Sequence, residues 1–127
     1  MNGFREVILV FVGGGFGSTV RFLLGRWVNA WHSYNFPFGT LAVNIFACLV
    51  LGFVVGIADH RQLISPAARL FWTVGFCGGF STFSTFSAET LTLLQGGFHF
   101  TTAVYITLSL LLCLAATFSG LYLGENS

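Results

Sequence analysis

The chain has 127 residues, of which 55% are hydrophobic and 7% charged, with mean hydropathy +0.85 and a formal net charge of +1. This composition lies outside the range of soluble globular domains and marks an integral membrane protein. Five arginines and no lysine make no basic patch, which excludes a nucleic-acid partner; a span needs about 20 apolar residues to cross roughly 30 Å of hydrocarbon, so the length permits about four helices and no soluble domain.

The first predicted span covers about 5–27, with an uncharged stretch over 7–20 followed by Arg21 and Arg26. Arg5 ahead of an apolar run resembles the start of a secretory signal, yet no small-residue cleavage site follows, so the segment is expected to stay as a helix. Trp27, Trp31 and Tyr34 suit the headgroup level, and Asn35 and Pro37 mark a loop. The second span, 38–58, is uncharged and ends in Asp59, His60 and Arg61. Ser65 with Pro66 reads as a helix start, serine as cap and proline in the first turn. The third span, 67–94, holds Gly75, Gly78 and Gly79 just before a run of serine, threonine and phenylalanine. Those glycines weaken a regular helix, and a break is expected near 78–81; non-helical backbone at membrane depth survives only beside protein or a wet cavity, so a break points to an ion or substrate site. Gly96 and Gly97 form a turn, and the fourth span covers 100–123. The whole of 1–127 is expected to be a single transmembrane domain of all-α class.

Charge does not orient the bundle. One side would collect Arg5, Arg61 and Arg69 and the other Arg26 and Arg21, a bias weak enough for insertion both ways and antiparallel pairing, although a weak bias also suffices for one orientation. Glycines recur at four-residue spacing, Gly13 with Gly17, Gly52 with Gly56 and Gly75 with Gly79, which lets helix backbones approach closely in lipid. Four spans make a thin bundle, so at least a dimer is expected. Cys48, Cys77 and Cys113 lie inside predicted spans and form no CxxC pair; they read as small buried side chains rather than a disulfide or zinc framework.

The polar residues within the spans carry the functional reading. A charge on Arg21 costs on the order of 2.5–3.5 kcal/mol in hydrocarbon, so it either snorkels to the interface near Trp27 or sits at a vestibule that draws anions. Asn44 either bonds a neighbouring helix or turns its amide donors toward an ion. Tyr105, Ser109 and Cys113 share one face of the fourth helix; they form a polar track, unless the serine bonds back to its own helix. In the stretch GFCGGFSTFSTFSAE at 75–89, Phe83 and Phe86 fall on one face among Ser81, Thr82, Ser84, Thr85 and Ser87. Phenylalanine at helical spacing is more often packing, but ring edges are positive and favour an anion without a full charge. Conduction needs sites favourable to enter and weak enough to leave. Hydroxyls, an amide and ring edges meet that need for a small, strongly hydrated anion.

The chain resembles the fluoride channels of the Fluc (CrcB) family along its whole length. The residues that carry the resemblance are GGGFGSTVR at 13–21, GTLAVN at 39–44 and the stretch at 75–89. It implies a four-helix subunit with a broken third helix, an antiparallel, dual-topology homodimer, two pores, and passive passage of fluoride with exclusion of chloride. Position by position, Asn44, Phe83, Phe86 and Arg21 match the pore asparagine, the paired phenylalanines and the arginine near the entrance. Gly78 and Ser81 match the break positions whose backbone carbonyls hold a structural sodium ion at the dimer axis, and Tyr105 and Ser109 match a polar track that Thr82, Ser84 and Thr85 extend. Ser81 stands where the family usually has threonine, and Cys113 where a further serine is often found. The implied setting is a bacterial inner membrane, with fluoride, sodium, lipid and a second copy as partners.

Two other classes fit the sequence less well. A small proton-coupled multidrug antiporter is equally short, but needs a carboxylate within its first span, where only Glu6 at the edge is present, Glu89 following the third-helix hydroxyls. A packing-only membrane subunit leaves the hydroxyl run unexplained. Catalysis is not expected, because His32, His60 and His99 fall in loops or at span ends with no nucleophile and base placed together.

Overall fold

The computed structural model describes residues 2–31, 35–61 and 64–127. Tyr34 and His32 lie outside the described residues, as do the side chains of His60 and Arg61. Among the described residues every element is helical: α1 (Gly3–Asn29), α2 (Phe38–Gly56) with a π-helical extension (Ile57–Arg61), α3 (Pro66–Leu70), a π-helical stretch (Phe71–Cys77), α4 (Gly78–Phe80), α5 (Phe83–Gln95) and α6 (His99–Glu125).

Three helices, Gly3–Asn29, Phe38–Asp59 and His99–Glu125, are long and apolar enough to cross a membrane. Their ends follow the local chemistry. Asn2 caps α1 by accepting the Arg5 N–H at 2.8 Å, and Ser65 caps α3 by accepting the Ala68 N–H at 3.1 Å with Pro66 in the first turn, as the sequence leads one to expect. At the end of α5 the chain reverses through Gly97 at φ +83. The Phe98 and Gly97 N–H groups return to the Leu93 and Leu94 carbonyls at 2.9 and 3.1 Å, the bonding pattern of a Schellman cap, which favours glycine at that left-handed position.

Glycine sets the helix pairing. A Cβ on Gly52 would strike the Thr117 carbonyl, one on Gly56 the Leu121 carbonyl, and from the other side one on Gly120 or Gly124 would strike the Leu49 or Phe53 carbonyl. Such contact needs bare backbone on both helices. Later residues of α2 meet later residues of α6, so the two run parallel. Gly13 lies against Phe71 and Gly75, and Gly17 against Phe76 and Phe80, so α1 runs parallel to the segment 71–80 in the same way. Between these pairs sits a core of Val43, Ala47, Phe76, Cys77 and Phe80, with Phe76 and Phe80 stacked at 5.3 Å. A second cluster joins Leu41, Leu93 and Tyr105, with Phe36, Ile45 and Phe86 against it.

The outer surface is apolar. Phe11, Phe100 and Phe118 are among the large side chains left exposed, which suits lipid rather than water. Trp27 and Trp31 meet edge to face at 5.6 Å and stay exposed, as interfacial aromatics do. Asp59 and Arg69 form a surface ion pair at 2.8 Å that links the end of α2 to α3.

Candidate functional site

The site begins where the helix after α3 fails. The break falls at Ser81 and Thr82, whose backbones are extended (Ser81 ψ 156; Thr82 φ −150, ψ 114), at the far edge of the expected 78–81 interval. Gly75, Gly78 and Gly79 remain helical. Gly75 and Gly79 are glycine for contact, because a Cβ on Gly79 would strike the Gly14 carbonyl and Gly75 lies against Gly13.

Asn44 holds the break open. Its side-chain Oδ1 accepts the Thr82 N–H at 2.9 Å and its Nδ2 donates to the Thr82 carbonyl at 3.4 Å, so the amide replaces the helical acceptor of that N–H and adds a second donor to a carbonyl that already caps α5. Below the break, the Gly79 carbonyl accepts from Arg21 Nε at 3.2 Å and from Ser18 Oγ at 3.3 Å, and the Cys77 carbonyl accepts from the Ser81 N–H at 2.9 Å and Oγ at 2.7 Å. Above it, Thr82 restarts the chain as cap of α5, its Oγ1 accepting the Thr85 N–H at 3.1 Å, donating to Thr85 Oγ1 at 3.0 Å and meeting Ser84 Oγ at 3.3 Å.

Two hollows flank this junction. A groove of about 280 Å³ is lined by Asn44, Ser81, Thr82, Phe83, Phe86, Ser109 and Thr117, with Cys48, Cys113, Leu110 and Leu114. Phe83 is 77% exposed on this single chain, so the groove lacks an outer wall. Its ring lies 5.6 Å from that of Phe86. Ser109 is buried and makes no hydrogen bond to its own helix, unlike Thr117, which bonds back to the Cys113 carbonyl at 3.0 Å. A second cavity of about 240 Å³ is lined by Arg21, Arg26, Asn29, Thr40, Thr82, Thr85 and Glu89 with apolar neighbours. Thr82 belongs to both, so the junction separates an apolar, aromatic groove from a charged vestibule.

The residues named from sequence are thus distributed rather than stacked along one line. Asn44, Phe83, Phe86, Ser109, Thr82 and Ser81 share the groove, while Arg21 and Thr85 belong to the vestibule. Tyr105 lines neither; it is fully buried under Phe86 and Phe36, at ring distances of 5.0 and 5.4 Å, and its hydroxyl has no hydrogen-bond partner of normal geometry. Ser84 is exposed at the start of α5 and Gly78 on the surface of α4. Sequence reading assigned no role to Thr40 and Glu89, yet the Thr40 hydroxyl donates to the Glu89 carboxylate within the vestibule. Ser18 was likewise missed. Both contacts join residues far apart in the chain, and no local spacing announces them.

The break also bears on a cation. The Thr82 N–H that would serve the Gly78 carbonyl goes to Asn44, and the Thr85 N–H that would serve the Ser81 carbonyl goes to Thr82 Oγ1. Both carbonyls are therefore released from their helical donors, and a Cβ on Gly78 would meet nothing within 4 Å. Carbonyl oxygens at a broken helix suit a hard cation. One chain supplies too few of them alone, so the donor set fits such an ion only when a second copy adds its own.

Among known proteins, the family described as CrcB-like protein, Camphor Resistance (CrcB), matches residues 8–121. The chain is similar to proteins named fluoride-specific ion channel FluC from Bacteroides fragilis, at 47% identity over 96% of this chain and 98% of that one. It is also similar to those from Agrobacterium fabrum, at 42% identity over 95% and 97%, and Leptospira interrogans, at 36% over 99% of each. On the matched length and these identities, the chain belongs to the CrcB-like family.

Proposed function

We propose that this protein is a passive, selective fluoride channel that lets fluoride leave the cytoplasm and excludes chloride. The observation that carries the reading is the groove in which Asn44, Ser109, Phe83 and Phe86 meet beside a broken helix, in a chain whose relatives are named fluoride-specific ion channels. The lining offers an amide, hydroxyls and ring edges but no fixed positive charge. Fluoride is small enough to exchange water for a few neutral donors and is not trapped by them, whereas the larger chloride gains less from donors so closely set. Arg21 and Arg26 at the vestibule attract the anion, and the Glu89 carboxylate moderates that attraction. Family membership sets aside the antiporter reading, and the protein acts as a transporter rather than an enzyme.

The same reading includes four spans and a dimer. Helices α2 and α6 run parallel, so the residues between them return across the membrane, with α3, the π-helical stretch, α4 and α5 as the broken third span of a single four-span domain over 1–127. The open groove, with Phe83 exposed, is supported as one wall of a pore whose other wall is a second copy. The weak bias of arginines, Arg5, Arg61 and Arg69 toward one side and Arg21 and Arg26 toward the other, supports an antiparallel, dual-topology pair in a bacterial inner membrane. The Gly78 and Ser81 carbonyls of both copies would then hold a structural sodium ion between them.

A growth test separates this reading from its rivals. Expressed in a bacterium lacking its own fluoride exporter, the protein is expected to restore growth in fluoride medium; no rescue by a membrane-inserted protein would reject it. Phe83→Ile keeps bulk and apolarity but removes the positive ring edge. It is expected to lower liposome fluoride flux by about tenfold, the equivalent of about 1.4 kcal/mol of barrier. An unchanged rate would remove the ring from the path.

A further inference from the structure

We propose that Cys48 and Cys113 form a two-thiol site for a soft metal cation inside the groove, and that a cation held there closes the groove to anions. Only the second half rests on the fluoride reading. Cys48 stands on α2 and Cys113 on α6, both line the groove, and both are free thiols. The backbones that carry them are locked together. Gly52, one turn beyond Cys48, lies against Thr117, one turn beyond Cys113, and Gly120 lies against Leu49. The remaining cysteine is different: Cys77 is buried, points its thiol at the Ala47 carbonyl at 3.6 Å and does not line the groove.

The chemistry needs no oxidant. Two S–H bonds give way to two metal–sulfur bonds and two protons pass to water, so binding strengthens as pH rises. Thiolate ligands select soft cations over hard ones, which distinguishes this site from the carbonyls at the helix break. A cation on Cys113 would lie between Ser109 and Thr117 along the face of α6 that lines the groove. A tightly held occupant blocks a path whose sites must be weak for ions to leave.

Cadmium alone serves as probe. Purified protein carrying Cys77→Ala, titrated with Cd²⁺ and followed by the ultraviolet absorption of cadmium–thiolate bonds, is expected to bind about one ion per chain. Cys48→Ser or Cys113→Ser in that background is expected to weaken binding by about a hundredfold, since even outer-shell partners of metal ligands are worth 10–100-fold. In liposomes, saturating Cd²⁺ is expected to lower the fluoride flux of the Cys77→Ala protein by about tenfold and to leave each serine variant at its own metal-free rate. Equal affinity after loss of either thiol would overturn the site, and two-thiol binding with undiminished flux would overturn the closure. The absorbance requires no transport, so protein that binds cadmium through both thiols but passes no fluoride supports the site and counts against the channel reading instead.

Discussion

Asn44→Ala is expected to abolish most anion flux and to lower the stability of the folded protein together. The substitution leaves the Thr82 N–H, bonded to Asn44 Oδ1 at 2.9 Å, without a partner at membrane depth, while the Thr82 carbonyl loses its second donor but keeps its bond as N-cap of α5. The orphaned N–H costs about 1–3 kcal/mol when it cannot find water. Closing the break into continuous helix would recover that bond, and it moves Phe83 and Phe86 from their places on the groove wall. A flux fall of at least about tenfold, accompanied by a lower melting temperature in detergent, is the expected pair of results. Asn44→Asp keeps the acceptor for the Thr82 N–H but loses the donor and adds a negative charge on the wall. It is expected to melt closer to wild type than Asn44→Ala and to pass fluoride no better. Wild-type flux in Asn44→Ala would show that the break does not depend on this amide.

Gly52→Leu is expected to prevent assembly of the bundle. The new Cβ would strike the Thr117 carbonyl and come within 2.8 Å of the Leu121 nitrogen, and both are backbone atoms that cannot turn aside. Overpacking costs about 1–3 kcal/mol where side chains can adjust, so here α2 and α6 must separate instead. Gly15→Leu is the matched control, since nothing lies within 4 Å of its Cβ position, and a change within about 0.5 kcal/mol is expected. Chromatography of the detergent-solubilised variants should show aggregated or absent protein for the first and a normal peak for the second. Equal behaviour would remove the glycine contact as the force that sets helix pairing.

Much of this was legible in the sequence, for identifiable reasons. Unbroken apolar runs produce α1, α2 and α6 within a few residues of their predicted limits, because in lipid length and composition decide the matter. The glycine pairs at 13 and 17 and at 52 and 56 announced close helix approach. What they did not announce was the partner surface: Gly120 and Gly124 complete the α2–α6 contact from the other helix. The break was expected near 78–81 and falls at the far edge of that interval, at Ser81 and Thr82; what the sequence did not show is that Asn44, 38 residues from Thr82, supplies the competing acceptor for its N–H. Arg21 read as either snorkelling or facing a vestibule; its Nε reaches the Gly79 carbonyl while its side chain lines the vestibule. Helical spacing put Tyr105 on the same face as Ser109 and Cys113, yet two phenylalanine rings cover it, a burial that spacing alone does not register. The Thr40 to Glu89 contact lay beyond reach for the same reason.

The central physical statement is that neutral donors and ring edges in a lipid-embedded groove carry a small halide and turn away a larger one. Purified protein reconstituted into liposomes loaded with potassium fluoride or potassium chloride, with a potassium ionophore added to balance charge, measures this directly. Rapid fluoride efflux with chloride retained is the expected result. No fluoride efflux, or chloride efflux at the same rate, would contradict it.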